Sequence, residues 1–518
     1  MKYFKIIALL SIVFLFSMCK KDDDSYVASD YHFNKDMITS DIPGDVNPEV
    51  YKSLSPTTSL DTANWANLAK LKRVFNIYSW QSLLAINWPL DKDGKPLPNF
   101  TDKGQETWLG WKEAFEVYRC DGEEPTPWGS KRIAPEDCSA SSSLLDLINP
   151  SELNDRTLRV LHLTNKHKNI IDETGQAFTG PLRDRNGNIV FYEVLMNKEE
   201  YDYVKDNGLY SLDGQIAFST KKSGDTIPAN FPSGIYGNKQ KGAIEIKLSW
   251  RVLEPTKGDD ASRYITMKAM VPTVDEKSFV KKTVGLVGMH ISQKPTSSKQ
   301  WVWSTFEHVD NLNTASLEAA VDNKKRIEPS FYDYYNPTLV TDSLQYKKND
   351  SVIDKNVLFT QVERRIPFPP DVIEINNEVK AILKKMGSKW QYYDLVDTQF
   401  PTDPSAIPTV YDPSKNNTVE SINNKPGGNP TPTYLTNITM ETYFQIGNQY
   451  AYPMQETKLK DKTRVFGTES CMGCHSSAGI CVRDSLGTPI FANQLTGDFS
   501  WLLSKKAHFK KKTTTAKK

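Results

Sequence analysis

The sequence predicts an α+β fold: an antiparallel β-rich domain with flanking helices, followed by a mainly helical or irregular C-terminal region. Three observations lead there. Residues Ala243–Val252 alternate apolar and polar side chains, as a half-buried strand does. Apolar residues return at helical spacing in two stretches, one starting at Trp65 and one at Val372. A proline run, Pro367-Phe368-Pro369-Pro370, marks a shift in composition between the β-like middle of the chain and its C-terminal part. Because 518 residues exceed the usual size of one core, two units are expected, 60–365 and 366–505. Thirty prolines and eleven tryptophans in a 38 % hydrophobic chain point to an aromatic-rich core with irregular connections rather than a helical bundle.

The elements are taken in chain order. Lys2 and Lys5 precede an apolar run, Ile6–Phe16, and small and apolar residues lead to Cys19. That is the order of a signal peptide, residues 1–18, and its apolar core of about a dozen residues is shorter than the roughly 20 that span a bilayer. Removing it takes two lysines and no acid, moving the formal charge from +1 to −1. A nearly neutral chain implies no nucleic-acid partner. A cysteine at the cleavage boundary resembles a lipobox, which implies acylation of Cys19 and a lipid anchor, although Met18 departs from the usual Gly, Ala or Ser. The run Lys20-Lys21-Asp22-Asp23-Asp24 resembles the tag that directs some lipoproteins to the outer leaflet of the outer membrane, and reads equally as a solvated spacer. The expected location is the cell envelope, at the outer membrane, on its periplasmic face or the cell surface.

Residues 19–60 read as a polar tether punctuated by Pro43, Pro48 and Pro56. Leu68, Leu71, Phe75, Tyr78, Leu83 and Ile86 then form an apolar stripe on a helix capped by Asp61 and ended before Pro89. Thr107–Tyr118 predicts a second helix, with Trp108, Trp111, Phe115 and Tyr118 on its core face. Strands are expected at Ala243–Val252, Tyr264–Val271, Val284–Ile291 and Trp301–Val309. Asp371 is placed as the cap of a helix carrying Val372, Ile375, Val379, Ile382 and Leu383, terminated by Gly387. Residues 401–434 read as a long loop, Thr439–Gln445 as a short helix, and 506–518 as a disordered basic tail.

The chemistry concentrates at Cys471-Met472-Gly473-Cys474-His475. Two thiols three positions apart reach the two vinyl groups of one porphyrin edge, and the adjacent imidazole turns to the iron. The motif therefore points to one covalent haem c, with Cys471 and Cys474 as thioether sites and His475 as proximal ligand. A Cys3His zinc site including Cys481, a thioredoxin-like redox pair, and a structural disulfide are the competing readings. Only 43 residues follow His475 and none is Met, so a downstream distal methionine is excluded. The other face of the iron falls to His308, His290, Met454 or His508, or stays open. Cys120 and Cys138 flank a loop rich in Gly and Pro and are expected to form a disulfide worth roughly 3 kcal/mol, leaving Cys481 as an odd thiol.

The stretches Trp80–Pro89, Trp301–Asn311 and Ser470–His475 together resemble a group of large bacterial cytochrome c family proteins, over most of residues 65–505. The resemblance implies a monohaem protein with a sizeable non-haem domain and supplies no substrate. Electron transfer with an unidentified redox partner is the first functional expectation. A haem-dependent oxidoreductase or sensor with an open iron site, using Glu307 and Asp310 beside His308 for proton transfer, is the second. A binding or assembly module with a structural haem is the third.

Overall fold

The computed structural model describes residues 31–48, 65–133, 138, 155–161, 182–220, 226–237, 240–273, 278–298, 300–312, 329–333, 361–362, 364, 366–401, 430–432, 434–442, 471–492 and 495–511. Cys19, Asp61 and Met454 lie outside them. In chain order, helix α1 (Trp65–Ile86) leads to strands β1 (Pro89–Leu90), β2 (Gln105–Glu106) and β3 (Lys112–Glu113), then α2 (Ala114–Val117), β4 (Leu158–Val160) and β5 (Phe191–Met196). Helices α3 (Lys198–Asp206) and α4 (Leu212–Ser219) precede β6 (Ile244–Val252), β7 (Thr266–Pro272), β8 (Phe279–Gln293) and β9 (Val302–His308). After β10 (Tyr332–Asp333) and β11 (Gln361–Val362) come α5 (Pro370–Lys385), β12 (Tyr393–Pro401) and β13 (Pro430–Thr431). The chain closes with α6 (Cys471–His475), the hairpin β14 (Cys481–Ser485) and β15 (Thr488–Phe491), and α7 (Leu502–Lys505).

Nine strands form one mixed sheet, in the order β13-β12-β9-β8-β6-β5-β3, with β7 also on β8 and β4 on β7. Every pairing in it is antiparallel except β4 with β7. The α+β class is thus observed, and the four long strands expected from alternation are all present. Strand β12 lies beyond the proline run yet pairs with β9, so the sheet continues across the composition shift.

One face of the sheet is covered by α1 and α5. From Leu71 to Ile86 helix α1 is buried nearly all round rather than along one stripe, and several of its polar residues find partners inside. Ser79 Oγ bonds Ser304 and Thr398, Ser82 donates to Gln293, and Trp80 Nε1 donates to Asn376 Oδ1 at 3.1 Å. Asn376 also bonds the Leu395 N–H and C=O, filling the bulge in β12 between Leu395 and Asp397. The cap of α5 is Pro369, with Asp371 in the first turn where it complements the helix dipole; Gly387, at φ +70°, follows the C-cap Met386.

Several expectations are corrected. Thr107–Tyr118 is not one helix: a 3-10 turn at Thr107–Gly110 gives way to β3 and then to the single turn α2. Lys112 and Glu113 are needed in buried ion pairs, with Glu116 and with Arg132 and Arg159, and those contacts outweigh the aromatic periodicity. Residues 31–48 are no free tether, since Phe33, Ile42 and Val46 are buried and Asp45 accepts from Ser297. The tail is docked as far as Lys511, whose N–H donates to Asp121 O. At 437–442 the chain makes a turn on Asn437 O instead of a helix, and residues 443–445 lie outside the described part.

Arg159 and Arg132 share the fully buried carboxylate of Glu113, and Arg159 also pairs with Glu193. Burial alone would raise the Glu113 carboxyl, but the two guanidiniums outweigh it and hold it below the usual carboxylate range. Such a group stabilises the fold above its unfolded pKa, and the contribution is lost as pH falls through the folded value. The substitution Arg159→Met leaves two buried carboxylates underpaired and is expected to cost about 3–5 kcal/mol at neutral pH. Urea unfolding should show that cost shrinking as pH falls and the carboxyls protonate.

Candidate functional site

Strand alternation sorts the side chains of the sheet. On β6, Ile244, Ile246, Leu248 and Trp250 enter the helix-covered core, so Glu245, Lys247 and Ser249 point to the other face. On β8, Val284 and Leu286 enter that core, and so do Met289 and Ile291, because Val287 is an extra residue facing no partner in β6. The bulge reverses the parity and sends His290 and Ser292 out of the core. On β9, Trp303 goes to the same side as His290, while Phe306 packs edge-on against Trp80 of α1 at 5.1 Å.

Over this second face lies a cleft whose empty space, open mouth included, is about 980 Å³. Glu245, Lys247, His290, Ser292 and Trp303 furnish its sheet side. Cys471, Cys474 and His475 of α6 face them, and Glu441, Trp501, Lys505 and Lys506 complete the walls. Gly288 makes room for the turn that carries Glu441: a Cβ there would meet Thr439 Oγ1 at 2.3 Å.

The short helix α6 is held at both ends. Gln399 of β12 accepts from the Met472 N–H at 2.8 Å, and Met472 is buried in the core beneath. His475 Nδ1 donates to Phe499 O at 2.8 Å, which leaves Nε2 as the imidazole's acceptor nitrogen. The segment that presents this carbonyl is strained: Leu495, Asp498 and Phe499 have φ of +71°, +47° and +69°. Trp303 packs on the His475 ring with centroids 4.3 Å apart. Burial lowers the His475 pKa to about 4, so the ring is neutral at neutral pH. Burial, with Glu441 and Cys474 adding to it, pushes the Cys471 thiol well up.

Across the cleft, His290 Nε2 is buried 3.5 Å from Glu441 Oε2. Burial would raise the Glu441 carboxyl; His290, Lys247 and the Asn437 N–H together hold it below its ordinary value. Sequence reasoning missed Glu441, Lys247 and Glu245, although the 245/247 alternation in β6 was the signal for two of them.

The other expected ligands stand elsewhere. His308 sits on the helix side of β9, stacked on Tyr264 at 3.8 Å, with Nε2 on Arg263 O and Nδ1 accepting from the Asp310 N–H. Both ring nitrogens are therefore engaged within the protein, and His308 is not among the residues lining the cleft. Asp310 is paired with Arg263 and Glu307 with Arg364, so neither is placed for proton transfer at the cleft. His508 lies beside Cys120 and Cys138, which are joined in a disulfide, and is not among the residues lining the cleft.

The donor set discriminates among the chemistries. Cys481 is buried with its thiol toward Arg483 O, and among the described residues no group of metal ligands gathers it with Cys471, Cys474 and His475. That does not suit a Cys3His zinc site. Cys471 and Cys474 are unlinked, and a raised thiol is the reverse of the depressed one a redox pair needs. Two thiols one turn apart beside a neutral imidazole with its outer nitrogen tied to a carbonyl, at the edge of a cleft, fit a c-type haem. No protein-family model matches the chain, and neither the curated proteins nor the solved structures contain a match.

Burial lowers His308 to a pKa of about 4, against 6.5 in the unfolded chain. A buried neutral histidine stabilises above its unfolded pKa, and that contribution is lost as pH falls toward 4. Stability should therefore drop by up to about 3 kcal/mol through this group across that window. In His308→Phe this part of the acid dependence is expected to vanish in urea titrations at a series of pH values.

Proposed function

We propose that this chain is a c-type cytochrome of the cell envelope that carries one haem on Cys471 and Cys474, with His475 as the proximal ligand, and that it serves electron transfer. The observation that carries the reading is the His475 imidazole, tied through Nδ1 to Phe499 O, at the edge of a cleft that both thiols also line. The haem would supply a one-electron couple. The chain's own residues do the rest. Phe499 O orients the imidazole, Trp303 buttresses it, and Gln399 fixes the start of the motif. Lys247, Lys505 and Lys506 set positive charge around the cleft for anionic groups such as propionates.

The haem region on this reading is assembled from 434–442, 471–475 and 495–506 against the sheet, a narrower set than the whole of 366–505. His290 is the distal candidate, since it faces the pentapeptide from the sheet. A second reading rests on the same residue: with His290 paired to Glu441 rather than bound to iron, the two would stand as an acid–base pair beside an open coordination site, as a haem enzyme or sensor needs. Among the described residues no helix is long and apolar enough to cross a membrane. Attachment to the outer membrane rests on Cys19 and its leader.

Purified protein from cells competent in cytochrome c maturation is expected to show a Soret band that survives denaturation and acid–acetone extraction. Cys471→Ala with Cys474→Ala should abolish that retention, and a wild-type preparation without a Soret band defeats the haem assignment. A low-spin spectrum that turns high-spin in His290→Ala identifies His290 as the ligand. A spectrum high-spin from the start selects the open-site reading. Cys19→Ser is expected to move the protein from the membrane fraction to the soluble one.

A further inference from the structure

Beneath the cleft two acids meet without a cation. Glu200, in the first turn of α3, is fully buried. Asn197 Oδ1 accepts from the Glu200 N–H and from the Ile244 N–H, which sets Glu200 beside Glu245, the neighbouring acid that lines the cleft from β6. Among the described residues neither Glu200 oxygen has a donor, nor has Glu245 Oε1, and two carboxyls can bond each other only if one of them holds a proton. Ser500, one residue from the carbonyl that positions His475, lowers the Glu245 carboxyl against the effect of burial.

Among the described residues, none supplies a compensating charge to Glu200. Asp498 lies near both acids and repels a second negative charge, and its own partner is Lys294, which also donates to Asn230 Oδ1 at 2.9 Å. The buried Tyr118 hydroxyl faces both carboxyls from the end of α2. Met196 and Ser292 flank Glu245 on the neighbouring strands. Among the described residues, the other charged and titratable groups at the cleft itself are Lys247, Lys505, Lys506, His290, Glu441, Cys471, Cys474 and His475. Burial is the largest influence on Glu200 and Glu245, and raises both. An ionised carboxylate left alone in such a place is costly, and two in contact cannot both stay ionised. A structural role would be met by an amide pair, which keeps the hydrogen bond without the charge.

We propose that Glu200 and Glu245 form a proton-binding pair that couples proton uptake to reduction of the haem, making electron transfer in this protein proton-linked. The inference rests on the haem assignment above. In the oxidised protein the pair holds one proton and one negative charge. When a one-electron donor reduces ferric to ferrous iron, the added negative charge draws one proton from solvent onto the remaining carboxylate, so the site gains one electron and one proton together. Linkage sets the sign. The reduction equilibrium constant falls as pH rises between the pair's apparent pKa in the oxidised and the reduced protein, by at most tenfold per pH unit.

The test uses the haem-loaded full chain, with haem content read in the same samples. Midpoint potentials are taken by spectroelectrochemical titration from about pH 5 to about pH 9, in the wild type, Glu245→Gln and Glu200→Gln. The protonated-carboxyl C=O stretch is followed by infrared difference spectroscopy in each. The expected result is a pH-dependent midpoint and a carboxyl band in the wild type, with the slope flattened and the band lost in both variants. The two substitutions enter from different elements, so if one fails to fold the other still decides. A pH-independent midpoint in the haem-loaded wild type, or a slope that survives both variants, overturns the coupling. A missing carboxyl band overturns the shared proton. A chain without haem overturns the coupling together with the functional assignment, and the band then shows whether the pair itself stands.

Discussion

The architecture of the cleft hangs on one irregularity, the extra residue Val287 in β8. A regular strand continuing from Val284 and Leu286 would bury residue 290 against α1 and turn Met289 and Ile291 outward. The bulge lets both apolar pairs reach the same core and delivers His290 and Ser292 to the opposite face. Gly288, beside it, admits the turn bearing Glu441. A single backbone step thus satisfies the core and furnishes the cleft, and each would suffer without it.

The second half of the cleft is built by a different device. The 495–499 segment holds three non-glycine residues at positive φ, an arrangement that persists only when neighbours over-determine it. Those neighbours are visible. Leu495 N donates to Ser476 O, Asp498 pairs with Lys294 and accepts from the Phe231 N–H, and Phe499 is buried in the core beneath α6. The strained loop and the motif therefore brace each other, and the imidazole is oriented by Phe499 O and Trp303. The chain presents a preorganised donor set in which both imidazoles and both thiols are placed by contacts made elsewhere.

Much of this was legible in the sequence, and the failures share a cause. Alternation marked β6, β8 and β9 because each has one face against the helices, and period 3.6 marked α1 and α5. The motif at 471–475 is read directly, since its spacing is its chemistry. The choice between His308 and His290 was not legible: both lie in strands of good alternation, and which face meets the motif depends on a bulge that local sequence does not announce. Thr107–Tyr118 misled because buried ion pairs of Lys112 and Glu113, with partners up to 46 residues away, override its aromatic spacing. Residues 31–48 and 505–511 are polar enough to read as solvated, yet they dock through backbone groups, as where Lys510 N–H meets Asp213 and Phe33 N–H meets Glu378.

The docked C-terminal segment has a consequence for the order of assembly. The cleft draws on β6, β8 and β9 from the middle of the chain, on α6, and on Lys505 and Lys506, just before the segment that Asp121, in the disulfide loop, fastens through Lys511. Its walls cannot close until residues 495–506 are in place. The cleft is thus complete only once 495–506 has docked, since without Lys505, Lys506 and the Phe499 carbonyl it lacks one wall and the anchor of His475.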